Sequence, residues 1–301
     1  MKLWVLILVL AAGNAFSQTR IVVPFPPGGG ADALARLMAP KLAETWKEQV
    51  IIENKPGASG HIGADLVARS PADGKTLLMS STASLTQKNV HQFAPITLVS
   101  ASPYVVTAST KSNISSISAL ISQALSNPGK LTYGSSGTGA ASHLSAELFK
   151  SMAKVDILHV PYKGTGQAVT DLLAGQIDLL FAPSQAVIAS VRAGKLKALA
   201  TTGSKRPETL QDLPTVAEAG VPGYEAVGWF GLLAPAATPK HVVEKLSTDA
   251  NRVLSDPDVR SRMVAVGADP SGNTPDEFAR FIRDDQAKWA KLMREAGIKP
   301  E

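Results

Sequence analysis

The chain has 301 residues, of which 45% are hydrophobic and 18% are charged, and its formal net charge is +5. This balance is that of an ordinary globular protein. It excludes a disordered chain, and the scattered basic residues exclude the clustered charge of a nucleic-acid binder. The chain has no cysteine, which excludes disulfides, thiolate metal sites and cysteine nucleophiles.

The first 17 residues have the pattern of an export signal. Lys2 precedes an apolar run over 3–12, and Ala15 and Ser17 supply small residues at the cleavage positions. That run is too short to span a bilayer, which requires about 20 apolar residues. We therefore predict cleavage after Ser17, export to the periplasm, and no membrane span in the rest of the chain.

Strand-like and helix-like segments alternate over most of the remaining chain. Apolar residues at helical spacing over 34–46 separate two short β-rich runs, and helical patterns over 141–152 and 167–174 separate later ones. The β-rich runs are 20–24, 50–53, 76–79, 104–108, 131–133, 155–160, 177–181 and 196–200. This alternation predicts an α/β fold with helices on both faces of its sheets.

The last third has no strand signal and predicts three helices. Thr238, Asp256 and Thr274 each precede a proline, as an N-cap precedes the first helical position, and Glu277 completes a capping box with Thr274. The final helix has an apolar face formed by Phe278, Phe281, Ile282, Trp289, Leu292 and Met293. We expect these helices to pack back onto an earlier sheet, which leaves a cleft between two lobes.

A glycine-rich turn, PFPPGGGAD over 24–32, joins the first strand to the first helix. It lacks the lysine of a P-loop and the last glycine of a dinucleotide-binding turn, and its prolines have no N–H to donate to a phosphate. The remaining interpretation is a helix N-terminus that seats one carboxylate. Asp32 is then expected to be the N-cap.

Two further polar turns each follow a strand and precede a helix: YGSSGTG over 133–139 and YKGTG over 162–166. Their hydroxyl and N–H groups suit an oxyanion, although an ordinary turn is the alternative for each. Lys163 either attracts an anion or is simply solvated. His143 either faces a ligand or caps and packs the following helix.

No motif predicts catalysis, a metal or a cofactor. The five histidines have no metal-ligand spacing, no G-x-S-x-G occurs, and the S-x-x-K at Ser151 has none of its companion motifs. Three polar turns without a visible nucleophile and base predict binding without catalysis.

The sequence resembles the exported Bug receptors, the substrate-binding proteins of tripartite tricarboxylate transporters. The similarity covers nearly the whole chain after the signal. It includes IVVPFPPGGGADALAR, VIIENKPGASGHIGAD, SPADGKTLLM, LTYGSSGTGAASHLSAELFK, HVPYKGTGQAVTDLLAGQIDLLF, AGKLKALATTGSKR and DLPTVAEAGVPGYEAVGWFGLLAPAATP.

The resemblance implies a type II periplasmic binding-protein fold, with lobe 1 over 18–101 and 224–301 and lobe 2 over 102–223. It also implies that the first two glycine turns face each other across the cleft. There, backbone, hydroxyl groups and water hold the carboxylates of a small organic anion. The implied partners are membrane permease subunits, and we expect a monomer that binds no nucleic acid.

Two features depart from the family pattern. The segment 84–92 is shorter than in relatives, where it lies near the ligand. Ala182 stands where relatives often carry aspartate, so the ligand class is left open.

From the turns and the resemblance together, the predicted ligand-binding residues are Phe25, Pro27, Gly28, Gly29, Gly30, Asp32, Ser81, Thr82, Ala83, Tyr133, Ser135, Ser136, Gly137, Thr138, Gly139, His143, Tyr162, Lys163, Gly164 and Ala182. The predicted function is capture of a small carboxylate or dicarboxylate for a membrane transporter. Two alternatives stay open: a ligand sensor of the same fold that serves a signalling partner, and a secreted hydrolase that would require a base beside Ser135 or Ser136.

Overall fold

A computed structural model describes residues 18–207 and 210–295. The predicted signal therefore lies outside the described residues. The strands are β1 (Gln18–Val23), β2 (Gln49–Asn54), β3 (Thr76–Ser80), β4 (Phe93–Ser109), β5 (Thr132–Ser135), β6 (Leu158–Pro161), β7 (Leu179–Pro183), β8 (Leu196–Thr201) and β9 (Val227–Pro235). The helices are α1 (Gly30–Trp46), α2 (His61–Ala68), α3 (Ile117–Ser126), α4 (Ala141–Ala153), α5 (Thr165–Ala174), α6 (Ser184–Arg192), α7 (Lys240–Ser255), α8 (Pro257–Ala265) and α9 (Pro275–Glu295).

One long strand, β4, belongs to two sheets. Its first part pairs antiparallel with β9, and the order of that sheet is β2-β1-β3-β9-β4. Its last part pairs antiparallel with both β7 and β8, next to the parallel strands β5 and β6. The partner changes between Pro103, opposite Val227, and Tyr104, opposite Pro183. The molecule is thus two-lobed and mixed α/β, as predicted.

Helices cover both faces of each sheet. One apolar cluster of the first lobe joins its sheet to α1, α7 and α8, and a second joins it to α2 and α9. In the second lobe, α3 and α4 cover one face and α5 and α6 the other. No helix in the described part of the chain is long and apolar enough to cross a bilayer.

The C-terminal helix packs against both lobes. Phe278 and Ile282 join the first lobe's cluster, whereas Trp289 joins the second lobe's cluster. The apolar face predicted for α9 is thereby confirmed. The exact lobe boundaries stay a prediction.

The three predicted helix starts differ in outcome. Asp256 accepts hydrogen bonds from the N–H groups of Asp258 and Val259, and Thr274 and Glu277 form the reciprocal capping box, so both caps are confirmed. The cap predicted at Thr238 is wrong, because Pro239 itself is the N-cap of α7. The Thr238 hydroxyl is buried and has no hydrogen-bond partner among residues 18–207 and 210–295.

Candidate ligand-binding site

Four helices begin at one small cavity between the lobes. Its wall includes Gly30 at the start of α1, Ala141 at the start of α4, Thr165 at the start of α5, and Pro183 just before α6. The cavity volume is ≈ 20 Å³. The other lining residues are Phe25, Gly29, Ala31, Ser81, Ala83, Tyr104, Ser136, Ala140 and Phe230.

Helix N-termini surround the cavity, and its described lining contains no charged side chain. Each helix N-terminus carries roughly half a positive charge, because the N–H groups of its first turn have no partner within the helix. None of the described residues lining the cavity is Asp, Glu, Lys or Arg. A compact anion is the ligand that this arrangement favours.

Asp32 holds the first glycine turn from behind. The N-cap of α1 is Gly29, so the N-cap predicted at Asp32 is wrong. Asp32 instead sits in the first turn of α1 and accepts hydrogen bonds from the Gly28 N–H, Arg36 and Asn54. Burial raises the pKa of Asp32, but these hydrogen bonds outweigh it and keep that pKa below its ordinary value. A carboxylate so engaged supports the turn and is not offered to a ligand.

The second glycine turn is held by hydroxyl groups. The Ser135 hydroxyl accepts from the Gly137 N–H at 3.2 Å, and the Ser142 hydroxyl accepts from the Ser136 N–H at 2.9 Å. The Gly139 N–H donates to Nδ1 of His143 at 3.0 Å. These bonds direct Ser136 toward the cavity, while His143 acts as a support of the turn.

Three stacked rings lie beneath this turn. His143 and His159 have ring centroids 4.0 Å apart, and Tyr133 stacks on His159 at 4.9 Å. Burial, together with the neighbouring His143, lowers the pKa of His159 to about 4. The Tyr133 hydroxyl donates to Glu147 at 2.6 Å. Tyr133 is therefore a buried support and does not line the cavity.

Ser135 has a histidine beside it that the sequence did not reveal. Its Oγ lies 2.6 Å from Nε2 of His159. However, the Ser135 side chain is 0% exposed and its Oγ is also bonded within the turn to Gly137. This serine–histidine pair holds the loop in place, and the buried Ser135 hydroxyl is not accessible to a substrate.

Closely packed glycines bring the two lobes into contact. A Cβ added at Gly166 would lie 2.9 Å from the Pro27 carbonyl oxygen, and one at Gly164 would lie 2.5 Å from Pro26 Cδ. A Cβ added at Gly137 would lie 2.6 Å from Ser59 Oγ. Real Cβ atoms do not approach other atoms so closely, so these glycines permit a closed cleft.

The segment after β3 forms the remaining wall and is fixed by α9. Thr82 donates to Asp285 at 3.2 Å, and the indole N–H groups of Trp229 and Trp289 donate to the same carboxylate at 2.8 Å each. Burial raises the pKa of Asp285 above its ordinary value, against the opposing effect of these donors. Ser81, in the same segment, lines the cavity.

The structure brings only part of the predicted set to the cavity. Phe25, Gly29, Gly30, Ser81, Ala83 and Ser136 line it. Thr82, Thr138 and Gly139 line an adjoining cavity that also shares Ala83. The others stand behind these walls or at the lobe contact: Pro27, Gly28, Asp32, Tyr133, Ser135, Gly137, His143, Tyr162, Lys163, Gly164 and Ala182.

Several of these outlying residues have defined structural partners. Tyr162 donates to Asp171 at 2.8 Å, Lys163 is exposed, and Ala182 is buried in β7 opposite Val105. Their roles in binding stay predictions.

Sequence reasoning missed the aromatic and C-terminal contributors. Tyr104 and Phe230 line the cavity from β4 and β9, and Asp285 acts through Thr82. Tyr104 was assigned to a strand, but its face could not be read from one sequence. Gly228 is the sequence feature that accompanies this position of Tyr104, because a Cβ at residue 228 would overlap the Tyr104 ring.

Two lobes that close over a cavity formed by helix N-termini define a solute-binding protein. Residues 34–298 match the model of the family described as Tripartite tricarboxylate transporter family receptor. Protein BugT of Bordetella pertussis is 36% identical over 291 residues, covering 93% of this chain and 89% of BugT.

Solved structures agree with this assignment. The structure titled R. palustris Rpa4515 with adipate is 36% identical, with a TM-score of 0.91 over 94% of this chain and 98% of that one. MatC (Rpa3494) from Rhodopseudomonas palustris with bound malate is 31% identical, with a TM-score of 0.85 over 91% and 98%. The chain belongs to the tripartite tricarboxylate transporter receptor family.

Proposed function

We propose that this receptor captures a small organic carboxylate in the cavity of helix N-termini and delivers it to the permease subunits of a tripartite transporter. The observation that carries the proposal is the convergence of α1, α4, α5 and α6 on a cavity lined by no charged described residue. Helix N–H groups can hold a carboxylate there without a counter-charged side chain.

The relatives point to the same ligand chemistry. Adipate and malate, the ligands that the titles of two similar structures name, are both dicarboxylates. We propose that the ligand bridges the two lobes and so stabilises the closed arrangement over the open one, which is the state a membrane partner would recognise.

The proposal also covers what the protein does not do. Because the Ser135 hydroxyl is buried and bonded within its own turn, we propose binding without catalysis. We further propose that the protein acts as a monomer in the periplasm after cleavage behind Ser17. Intact mass of the exported protein and sedimentation in solution test these two statements.

Thermal unfolding against a ligand panel tests the central proposal. The panel contains mono-, di- and tricarboxylates, with adipate and malate first, together with nicotinate, amino acids, sugars and divalent cations. A carboxylate at about 100 times its Kd should stabilise the folded state by about 2.7 kcal/mol. Stabilisation by a sugar or a cation, with no response to any carboxylate, would contradict the proposal.

A further inference from the structure

A second cavity adjoins the candidate carboxylate site. The volume of this second cavity is ≈ 140 Å³, and Ala83 lines both cavities. Adjacent residues also line the two cavities: Gly139 lines the larger one and Ala140 the smaller one. The two cavities therefore meet at Ala83 and at the second glycine turn.

The body of this larger cavity is apolar. Its apolar wall consists of Ala83, Leu85, Leu144, Trp289, Ala290 and Met293. The polar residues of its lining are His61, Thr82, Thr86, Gln87, Thr138, Gln286 and the exposed Lys88. An apolar cavity of about 150 Å³ in another protein stays dry and binds benzene, so this space has the size for one aromatic ring or a short alkyl chain.

Three separate parts of the chain form this wall. Leu85 comes from the segment after β3, Leu144 from α4 in the second lobe, and Trp289 from α9. The Gln286 side chain donates to the Leu85 carbonyl at 3.2 Å, which fixes the segment to α9. A group that filled the cavity would contact both lobes together with the helix that packs against them.

The segment 84–92 is held by its own hydrogen bonds. Asn89 accepts from the Thr86 N–H at 2.7 Å and donates to the Ser84 carbonyl at 3.0 Å. Leu85 in this segment is 1% exposed. The segment thus provides a fixed apolar wall beside the carboxylate site.

From this geometry, and given the proposed function, we infer that the ligand is a carboxylate with an apolar body of about six carbons. Its carboxylate sits at the helix N-termini, and its aryl or alkyl part lies over Ala83 in the larger cavity. Size and apolarity of this body, more than a second charge, then distinguish the preferred ligand from shorter organic acids.

Isothermal titration calorimetry with a matched series of monocarboxylates tests the inference. The probes are acetate, butyrate, hexanoate and benzoate, with benzamide as the uncharged analogue of benzoate. Burial of each methylene contributes about fourfold in affinity, so hexanoate and benzoate should bind at least about tenfold tighter than acetate. Their binding should also show a more negative heat-capacity change.

A variant in which the larger cavity is filled provides a second test. Ala290→Leu places a larger side chain in the cavity without touching the smaller site, and Ala287→Leu makes the same change at an exposed position one turn earlier. We expect A290L to remove most of the advantage of hexanoate and benzoate while acetate binding is unchanged. A287L should behave like the wild type, and the melting temperatures report whether both variants are folded.

Each outcome has a defined meaning. Equal affinity for acetate, hexanoate and benzoate would overturn the inference and leave the proposed function in place. A preference for the larger acids that survives in A290L would overturn the assignment to this cavity. Binding of benzamide as tight as that of benzoate, or no binding of any carboxylate, would contradict the proposed function itself.

Discussion

His159 links the stability of the protein to pH. Its pKa is lowered to about 4 in the folded chain, from about 6.5 in the unfolded chain. Between these values the unfolded state takes up a proton that the folded state does not, so this contribution to stability is fully present above pH about 6.5. It is lost as the pH falls toward 4.

We therefore predict that the free energy of unfolding, measured with urea, declines from pH 7 to pH 4.5. In His159→Gln, which can still bond Ser135, the decline should be shallower. The exposed His91→Gln is the control and should follow the wild type. An unchanged slope in H159Q would show that other groups set the pH dependence.

A substitution at Gly166 can distinguish an effect on cleft closure from an effect on the stability of the fold. It lies in the first turn of α5, where alanine is the better helix former, yet an added Cβ would lie 2.9 Å from the Pro27 carbonyl oxygen in the other lobe. Because the contact joins the two lobes, we expect separation of the lobes to relieve this overlap.

For Gly166→Ala we predict unchanged or slightly higher stability and weaker ligand binding. Overpacking costs about 1–3 kcal/mol, and if it acts on the closed state alone the affinity falls by about 5- to 150-fold. Calorimetric titration with the best ligand of the panel measures this change. The adjacent exposed Gln167→Ala is the control; equal affinities in both variants would contradict the role given to closure.

At the scale of elements, α9 acts as a brace between the two lobes and the site. Its Asp285 carboxylate accepts from the indole N–H of Trp229 in β9, that of Trp289 and the hydroxyl of Thr82. Both indoles are buried, and each would be left without an acceptor if the carboxylate were removed.

We predict that Asp285→Ala lowers the free energy of unfolding by about 2–4 kcal/mol, because an unpartnered buried donor costs about 1–3 kcal/mol. It should also weaken ligand binding, since Thr82 loses its partner beside the cavity. The exposed neighbour Asp284→Ala should change neither quantity. A loss of stability with unchanged affinity would show that the brace does not reach the site.

The sequence predicted the elements that carry an unbroken pattern. The apolar spacing over 34–46 and the capping signals at Asp256 and Thr274 correspond to α1, α8 and α9. β9 was missed because Gly228 and Gly231 interrupt its apolar run. Both positions need glycine, since the Tyr104 and Phe278 rings occupy the space of a Cβ. This requirement comes from tertiary packing, which local propensity does not contain.

The lining of the candidate site was predictable where one turn supplies its own donors. Phe25, Gly29, Gly30 and Ser136 reach the cavity from the glycine turns as expected. Tyr133 and His143 did not, because polar residues next to a glycine turn can support it from behind as readily as line it. Asp285 was beyond prediction, since it meets Thr82 from more than 200 residues away in the chain.

At the scale of the whole molecule, Thr202 connects the two chain segments that cross between the lobes. Its hydroxyl accepts from the Tyr104 N–H at 2.7 Å and donates to the Ala226 carbonyl at 2.6 Å. The neighbouring Thr201 hydroxyl is equally buried but has no hydrogen-bond partner in the described part of the chain. The two threonines form a natural matched pair.

We predict that Thr202→Val lowers the free energy of unfolding by about 1–3 kcal/mol, because both crossing segments lose a buried partner. Thr201→Val should be neutral or stabilising, since it removes an unpartnered hydroxyl. Urea denaturation of the two variants compares them directly. Equal losses would mean that the shape of the side chain matters at this crossing and its hydrogen bonds do not.

Because β9 comes late in the chain, the sheet of the second lobe can be completed before the sheet of the first lobe. β9 lies between β3 and β4 in the first sheet, so the N-terminal lobe lacks an internal strand until 227–235 have been synthesised. All strands of the second sheet, by contrast, lie before residue 202. The part of the protein made first is therefore the part whose sheet closes last. In a chain emerging from the ribosome, β1, β2 and β3 can pair with one another, but β3 and β4 lack the strand between them until β9 has been made.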